Sequence, residues 1–432
     1  MTLARAPCAI DRTAAACYKA RAMSASRWVI LGVCTLSFIQ VHIHRVGFAP
    51  LIPTFISDLG ITYTAAGTMM TAYFWTYTAV QVPIGMLTDR LGSRRVMLAF
   101  MAVLVLGVAA FVLSRTYGQG LLARSLVGLG AAAVWLPGLR LINEWFPPGE
   151  RGRATGIFSA GGGIGGTTAL LVVPLLADRF GWRVGYGLTL IPVAVTLAAI
   201  CFLIRSPASA RSTGSPERVP AIAGGPGSGP MAALARVLRT RAVWPFSVTV
   251  LLSYGAYISL VTWLPAFLVN QEGLSRSMAG LVTGLMTGGT IVSWPLAGFL
   301  SDRLGRRKAI FLFSQSMTVP VCLAFALLVP GAGLTVAVLV AVITGLVLGG
   351  MVTPFVMVAE LFPAELVGTA SGVVNTFCFL GSLIVPVALG KILDVTGSFP
   401  AAFIACAAVQ ALALLSAAFT RETGLARRPA LV

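Results

Sequence analysis

GMLTDRLGSRR, residues Gly85–Arg95, returns later in the chain as GFLSDRLGRRK, Gly298–Lys308. Each copy places a glycine, an acid and a basic cluster between two oily runs. Asp302 minus Asp89 gives an offset of 213 residues. Two further pairs keep nearly that spacing. NEWFPPGERGRATG, from Asn143, is answered by AELFPAELVGTASG, from Ala359, with Phe146 and Phe362 216 residues apart. Pro53 and Phe55 are answered by Pro265 and Phe267 at an offset of 212. Three well-separated matches at an almost constant offset mark an internal duplication, so the chain consists of two similar halves.

The composition says what solvent those halves meet. Of 432 residues, 57% are hydrophobic and 10% charged, whereas soluble domains carry about 25% charged residues. So few charges cannot cover a soluble protein of this length. The apolar residues come in continuous blocks of about 20, the length of a helix crossing a bilayer. Inside lipid each backbone amide needs an internal partner, which leaves helices or closed barrels; continuous runs rather than alternation select helices. The expected fold is therefore an all-α membrane protein with twelve transmembrane helices in two six-helix pseudo-symmetric halves. Spans are expected at about residues 27–50, 64–87, 96–114, 119–142, 153–177, 184–204, 243–269, 277–300, 308–329, 333–358, 367–393 and 399–420.

Charge sets the expected orientation. With the N-terminus inside, 23 of the 31 Lys and Arg residues fall on the cytoplasmic side, five on the other and three within spans. That asymmetry is the positive-inside pattern. It accounts for the net charge of +18 without nucleic acid, because the charges are dispersed over many loops. Residues 205–242, rich in Pro, Gly, Ser and Arg, read as a cytoplasmic linker between bundles at 27–204 and 243–420. Residues 1–26 read as a flexible tail, with Met23 an alternative start, and 421–432 as a cytoplasmic tail. The N-terminal stretch has no apolar core or cleavage site of a secretory signal. Seven scattered cysteines form no CxxC or metal spacing, and no cofactor or metal is expected.

These features together resemble the major facilitator superfamily over about residues 27–420. The GxLxDRxGRR loop signature occurs twice, and LLARSLVGLGAAA, Leu121–Ala133, resembles the fourth-span motif of that family, centred on Arg124. The first-span Arg45, YFWTYTAVQVPIGMLTDRLG in span two, SYGAYISLVTWLPAFL in span seven and NTFCFLGSLIVP in span eleven resemble its anion:cation symporter branch. That branch carries sugar acids, organic anions and phosphates, and often has a carboxylate in span four after GxG. Here that stretch is GLGAAAVWLP, without an acid. AGGGIGGTTALL, Ala160–Leu171, is faintly similar to a span-five signature of nitrate transporters, but the paired arginines of spans two and eight are missing.

Independently of any family, the oily first span holds His42, His44 and Arg45 at its middle. A central Arg costs about 2.5–3.5 kcal/mol on an insertion scale. By the expected spans all thirteen acids lie in tails, loops or near helix ends, so no carboxylate is available to neutralise Arg45. A buried cation without a fixed partner favours an anion arriving from outside, and a planar guanidinium grips a carboxylate or phosphate with two bonds. The competing reading is structural, with Arg45 held by helix carbonyls or a headgroup. His42, at i−3, shares the Arg45 face; His44 is about 100° away and faces a neighbouring helix. Either histidine is a packing group or a proton carrier. Tyr73 and Tyr77 share one face of span two, and with Arg45, His42, Tyr257 and Asn375 they make up the expected substrate site. The resemblance implies a polar-network or coupling role for Arg124, with a snorkelling arginine as the alternative. Arg140 is expected to pair with Glu144 at i+4 or to serve as a second substrate or gate residue. In the repeated loops Gly85 and Gly298 are expected to permit close helix contact, with Asp89 accepting bonds from a facing helix N-terminus or pairing with Arg94, and Asp302 doing likewise or pairing with Arg306.

The expectation is a secondary transporter rather than an enzyme: a monomer in the lipid bilayer, in a bacterial inner membrane with both termini cytoplasmic. It would move a small anionic substrate by alternating access, with a proton as symported partner or a counter-anion in exchange. Nitrate or phosphate transport, multidrug efflux and a non-transporting receptor are the alternatives.

Overall fold

The computed structural model describes residues 9–204 and 230–423. Residues 1–8 of the expected tail, 205–229 of the expected linker, 424–432 at the C-terminus and the Asp89 side chain lie outside the described residues. All regular structure among those described is helical. The N-terminal half contains α1 (Ala9–Val46), α2 (Ile52–Leu59), α3 (Tyr63–Ala79), α4 (Gln81–Leu91), α5 (Ser93–Leu113), α6 (Tyr117–Ala131), α7 (Trp135–Trp145), α8 (Pro148–Phe180), α9 (Trp182–Gly187) and α10 (Leu190–Leu203). After α11 (Pro230–Arg239) the second half follows: α12 (Val243–Asn270), α13 (Arg276–Leu304), α14 (Arg307–Leu327), α15 (Leu334–Val347), α16 (Thr353–Leu361), α17 (Ala364–Thr396) and α18 (Phe399–Ala418).

Prolines place the breaks within the long segments. A proline has no N–H and its ring crowds the carbonyl four residues back. Pro83 thereby separates α3 from α4 at Val80, and Pro137 separates α6 from α7. Pro50 lies within the 3-10 turn Ala49–Leu51 that carries the first span on into α2, and Pro53 lies in the first turn of α2. That span thus reaches Leu59, nine residues beyond its expected end. Two stretches read as irregular contain helix. α1 begins at Ala9, in an Ala-rich sequence of high helix propensity. In the linker, α11 is docked by the buried Ala233 and Val237, one turn apart on the same face.

Among the described residues, ten helical segments are long and apolar enough to cross a membrane. The segments expected as spans two and eight, α3–α4 and α13, are less apolar, being rich in Thr, Tyr, Ser and Gly. Their position explains this. α3 packs against α17, and α13 against α8, so both face the opposite half of the molecule instead of lipid.

The two halves are fastened at one end by a pair of carboxylate caps. Asp394, near the end of α17, accepts bonds from the N–H groups of Tyr63 (2.7 Å) and Thr64 (2.9 Å) at the start of α3, and from the Thr64 hydroxyl. Asp178, near the end of α8, accepts from the N–H of Ser277 (3.0 Å) and its hydroxyl at the start of α13, with Arg276 at 3.7 Å. Asp394 minus Asp178 is 216 and Ser277 minus Thr64 is 213, so the caps are related by the internal duplication. Each carboxylate meets the N–H groups that a helix start leaves free, at the positive end of the helix dipole. Below them the helices touch closely. A side chain at Gly67 would meet the Pro386 carbonyl and Trp263, and one at Gly280 would meet Leu170 and Pro174.

The opposite end, bearing the repeated loops, is open. Gly85 and Gly298 were expected to allow close helix contact, yet a side chain at either would meet nothing within 4 Å. The halves are apart there, so these glycines have no neighbour to admit.

Removing the caps frees the fastened end. Replacing a helix cap by alanine costs about 1 kcal/mol, so Asp178→Ala with Asp394→Ala shifts the balance toward opening of that end by roughly thirtyfold. Spin-label distances across the 62–64 and 394–397 region, broadened toward longer values, check this; unchanged distances would show that the caps do not hold it shut.

Candidate functional site

Two guanidinium groups lie side by side in the core of the N-terminal half, in opposite circumstances. Arg124 of α6 is completely buried. Its Nη1 donates to the His44 carbonyl at 2.7 Å, its second Nη to the Arg45 carbonyl at 3.3 Å and its Nε to the Met69 carbonyl at 3.4 Å. The first two carbonyls belong to the last turn of α1, which a helix end leaves without amide partners and which carries negative dipole charge. Rings of Phe48 and Tyr73 cover the group at 5.3 and 5.6 Å. Arg124 thus ties α1, α3 and α6 together, with its donors directed to backbone.

Arg45 is 7% exposed and has no such set of acceptors. Its guanidinium carbon lies 5.1 Å from the Tyr77 ring, 5.6 Å from Tyr73 and 5.9 Å from both Phe74 and Phe379. One Nη contacts His42 Nε2 at 3.1 Å, while Nε makes no hydrogen bond of good geometry. No ion pair among the described residues involves Arg45. Aromatic faces attract a cation by about 0.5–2 kcal/mol each, but they carry no net charge. The site therefore keeps one positive charge.

His42 is half-buried and fixed from both sides, its Nδ1 lying 3.0 Å from the Phe38 carbonyl. Beneath it Phe38, Trp135 and Phe158 form an aromatic floor, with Trp135 stacked on Phe158 at 5.1 Å. The glycine run of α8 makes room for the imidazole: a side chain at Gly162 would press on the His42 ring, and one at Gly165 on its Cβ. His44 points away from this cluster, to the Tyr186 hydroxyl at 3.3 Å, and is fully buried. Across the gap between halves, Phe379 of α17 touches Tyr77 and Tyr254, and Tyr254 pairs with Tyr257. Asn375 is exposed on α17 one turn before Phe379 and makes no hydrogen bond to the cluster.

The duplicated helical architecture around this buried cationic centre is matched by comparison with known proteins. The family model of the Major Facilitator Superfamily matches residues 34–279 and 268–431. This chain belongs to the Major Facilitator Superfamily. It is 26% identical over 408 residues to a Cupriavidus necator protein named "Probable sulfoacetate transporter", covering 91% of this chain and 94% of that one. It is 24% identical over 385 residues to the hexuronate transporter of Bacillus subtilis, covering 87% and 90%. Its fold is that of a bacterial homologue of the human lysosomal transporter Spinster, solved in an inward-facing, unoccupied conformation (TM-score 0.76, 16% identity, 91% and 97% of the chains covered). The chain is an integral membrane transporter, not an enzyme.

The superfamily's loop signatures are wired differently from expectation. Asp302 pairs with Arg307 at 2.7 Å, not with Arg306. Gly305 adopts a left-handed conformation and Arg306 precedes the first turn of α14. That turn directs Arg307 back to Asp302 and to Glu360 at 2.8 Å, leaving Arg306 exposed. Arg94 donates to the Cys201 carbonyl at the end of α10 at 2.5 Å; its expected partner, the Asp89 side chain, lies outside the described residues. Arg140 bonds Glu144 at 2.9 Å and the Thr88 carbonyl at 3.1 Å, near the open end rather than in the Arg45 cluster.

Sequence reasoning passed over Phe379 and Phe74 as ring partners of Arg45, and Tyr186 as the partner of His44. Phe379 carried a usable signal, standing four residues after Asn375 and so on the same helical face. Tyr186 carried none, at a separation of 142 residues.

The contrast between the two arginines is testable. Arg124→Met keeps the apolar stem but strands three buried carbonyls, so it lowers stability by about 1–3 kcal/mol. Thermal unfolding of purified protein in detergent measures this. A melting temperature equal to that of the wild type would show that Arg124 does not hold α1 in place.

Proposed function

We propose that this transporter moves a small organic anion, a carboxylate or sugar acid, by alternating access, with coupled proton uptake. The observation that carries the reading is Arg45: a permanent cation between the halves, surrounded by uncharged rings and without a carboxylate partner among the described residues. An anion on its planar fork completes the site electrically, with two parallel bonds. The Tyr73, Tyr77 and Tyr257 hydroxyls offer donors and acceptors suited to the hydroxyls of a sugar acid. Asn375, exposed on α17, stands at the approach. The hexuronate specificity named for one relative supports this class.

The distribution of Lys and Arg supports cytoplasmic termini, making the open end the inner one and the fastened Asp178 and Asp394 end the outer one. In this conformation the substrate site communicates with the cytoplasm. Alternation exchanges the two: the outer caps part, and the repeated loops of the two six-helix bundles, 27–204 and 243–420, come together. The bacterial relatives support an inner-membrane location, and the chain works as a monomer. Multidrug efflux fits poorly, because a cationic drug would meet Arg45.

A thermal-shift screen of purified protein against galacturonate, glucuronate, phosphate, nitrate and neutral sugars tests the reading. The organic anions are expected to raise the melting temperature of the wild type and not that of Arg45→Ala. Arg45→Lys, which lacks the planar fork, weakens binding about tenfold or more. Stabilisation by neutral sugars without any effect of anions would reject the assignment.

A further inference from the structure

The hydrogen bonds around His42 specify more than its position. Nδ1 lies 3.0 Å from the Phe38 carbonyl, and Nε2 lies 3.1 Å from a guanidinium nitrogen of Arg45. A carbonyl can only accept and a guanidinium can only donate. His42 is therefore neutral here, with its proton on Nδ1 and a lone pair on Nε2 directed at Arg45. A second proton could enter only at Nε2, where it would face an Arg45 N–H. The two donors would then oppose each other, and two cations would lie at contact distance.

Nothing already in the site relieves that conflict. On α1 the near charged group is Arg45, while His44 points away to Tyr186. α8 presents Gly162 and Gly165 to the ring, and the aromatic floor comprises Phe38, Trp135 and Phe158. The Tyr73 and Tyr77 rings of α3 lie around Arg45, Tyr254 and Cys378 belong to the opposite half, and Arg124 is engaged with the carbonyls of His44 and Arg45. No carboxylate among the described residues joins this set.

We propose that His42 Nε2 is the proton-binding site of the transporter, made available when an anion takes over the Arg45 contact. The inference rests on the anion reading above. An arriving carboxylate accepts from the Arg45 fork, which leaves Nε2, and its oxygen then accepts a bond from the newly protonated Nε2. Proton and anion thus bind together, one of each. The loaded site carries the same net charge as the resting one, with the substrate's negative charge cancelled by the added proton. The lone imidazole does the work that a membrane carboxylate would do, in a chain whose fourth span has none.

Linkage fixes the sign. If one proton is taken up per anion, anion affinity falls about tenfold per unit rise in pH, over the range between the proton affinities of the empty and loaded sites. His42→Gln tests the assignment, since its side-chain oxygen can accept from Arg45 but cannot take up a proton. The experiment uses proteoliposomes of the full chain with galacturonate as probe. The wild type should accumulate it under an inward-directed proton gradient and should also exchange it across the membrane without one. His42→Gln, which lacks the Nε2–H bond to the anion, should bind galacturonate more weakly than the wild type but with an affinity independent of pH, and should lose gradient-driven accumulation while still exchanging at raised galacturonate concentration. His44→Gln should retain the wild-type pH dependence. Gradient-driven accumulation by His42→Gln would overturn the proposal, as would a His44→Gln variant that alone loses it. A His42→Gln protein whose weakened galacturonate binding keeps the wild-type pH dependence would place the proton elsewhere and overturn it too. A wild type that moves galacturonate by exchange but ignores the gradient would refute the proton site alone; one that binds and moves none of the screened anions would refute the anion reading itself.

Discussion

A guanidinium inside a bilayer cannot shed its charge, so the protein must supply acceptors or leave the charge for something else to meet. The N-terminal half does both, within one residue cluster. Arg124 directs its donors to the buried carbonyls left without amide partners at the end of α1, and in doing so fixes where α1 stops and how α3 and α6 stand beside it. Arg45, whose own carbonyl is one of those acceptors, is held by its backbone while its side chain is left electrically incomplete. The structural arginine positions the functional one.

The rest of the architecture serves that incomplete charge. Because α3 and α13 face the other half, they can afford Thr, Tyr and Gly where lipid-facing helices need Leu and Val. The glycines of α8 bring its backbone against α1 beside His42, which leaves no room for another ionisable group on that side. Phe379 reaches the cluster from the opposite half, so the ring that encloses Arg45 exists only while the two halves keep their present relation. Site and conformation are thereby linked through the aromatic ring of Phe379, which meets Phe74, Tyr77 and Arg45.

Much of this was legible in the residues. The duplication, the helical membrane class and the anomaly of Arg45 follow from spacing and composition, because lipid imposes strict rules on both, while the family was legible through the resemblance of the loop and fourth-span motifs. The i−3 placement of His42 and the i+4 pair Arg140–Glu144 were equally readable, since helix geometry alone decides them. What escaped were features set by tertiary distance. The resemblance implied a polar network for Arg124, but its acceptors, the carbonyls of His44, Arg45 and Met69, have no mark in the sequence. Tyr186 has no local mark of its role. The exchange of Arg306 for Arg307 turns on the backbone at Gly305, a one-residue change of direction that composition does not encode. Gly85 and Gly298 look like contact residues, and here they stand free because contact at that end belongs to another arrangement of the halves.

The paired caps at the fastened end carry a consequence of their own. Each half supplies one acidic helix terminus and one receptive helix start, with the two bonds related by the same offset as the sequence repeat. The closure is therefore self-complementary: either half possesses both the plug and the socket. Two copies of one half, facing each other about a twofold axis, could make both bonds, so this seal does not depend on the differences that have since accumulated between the halves.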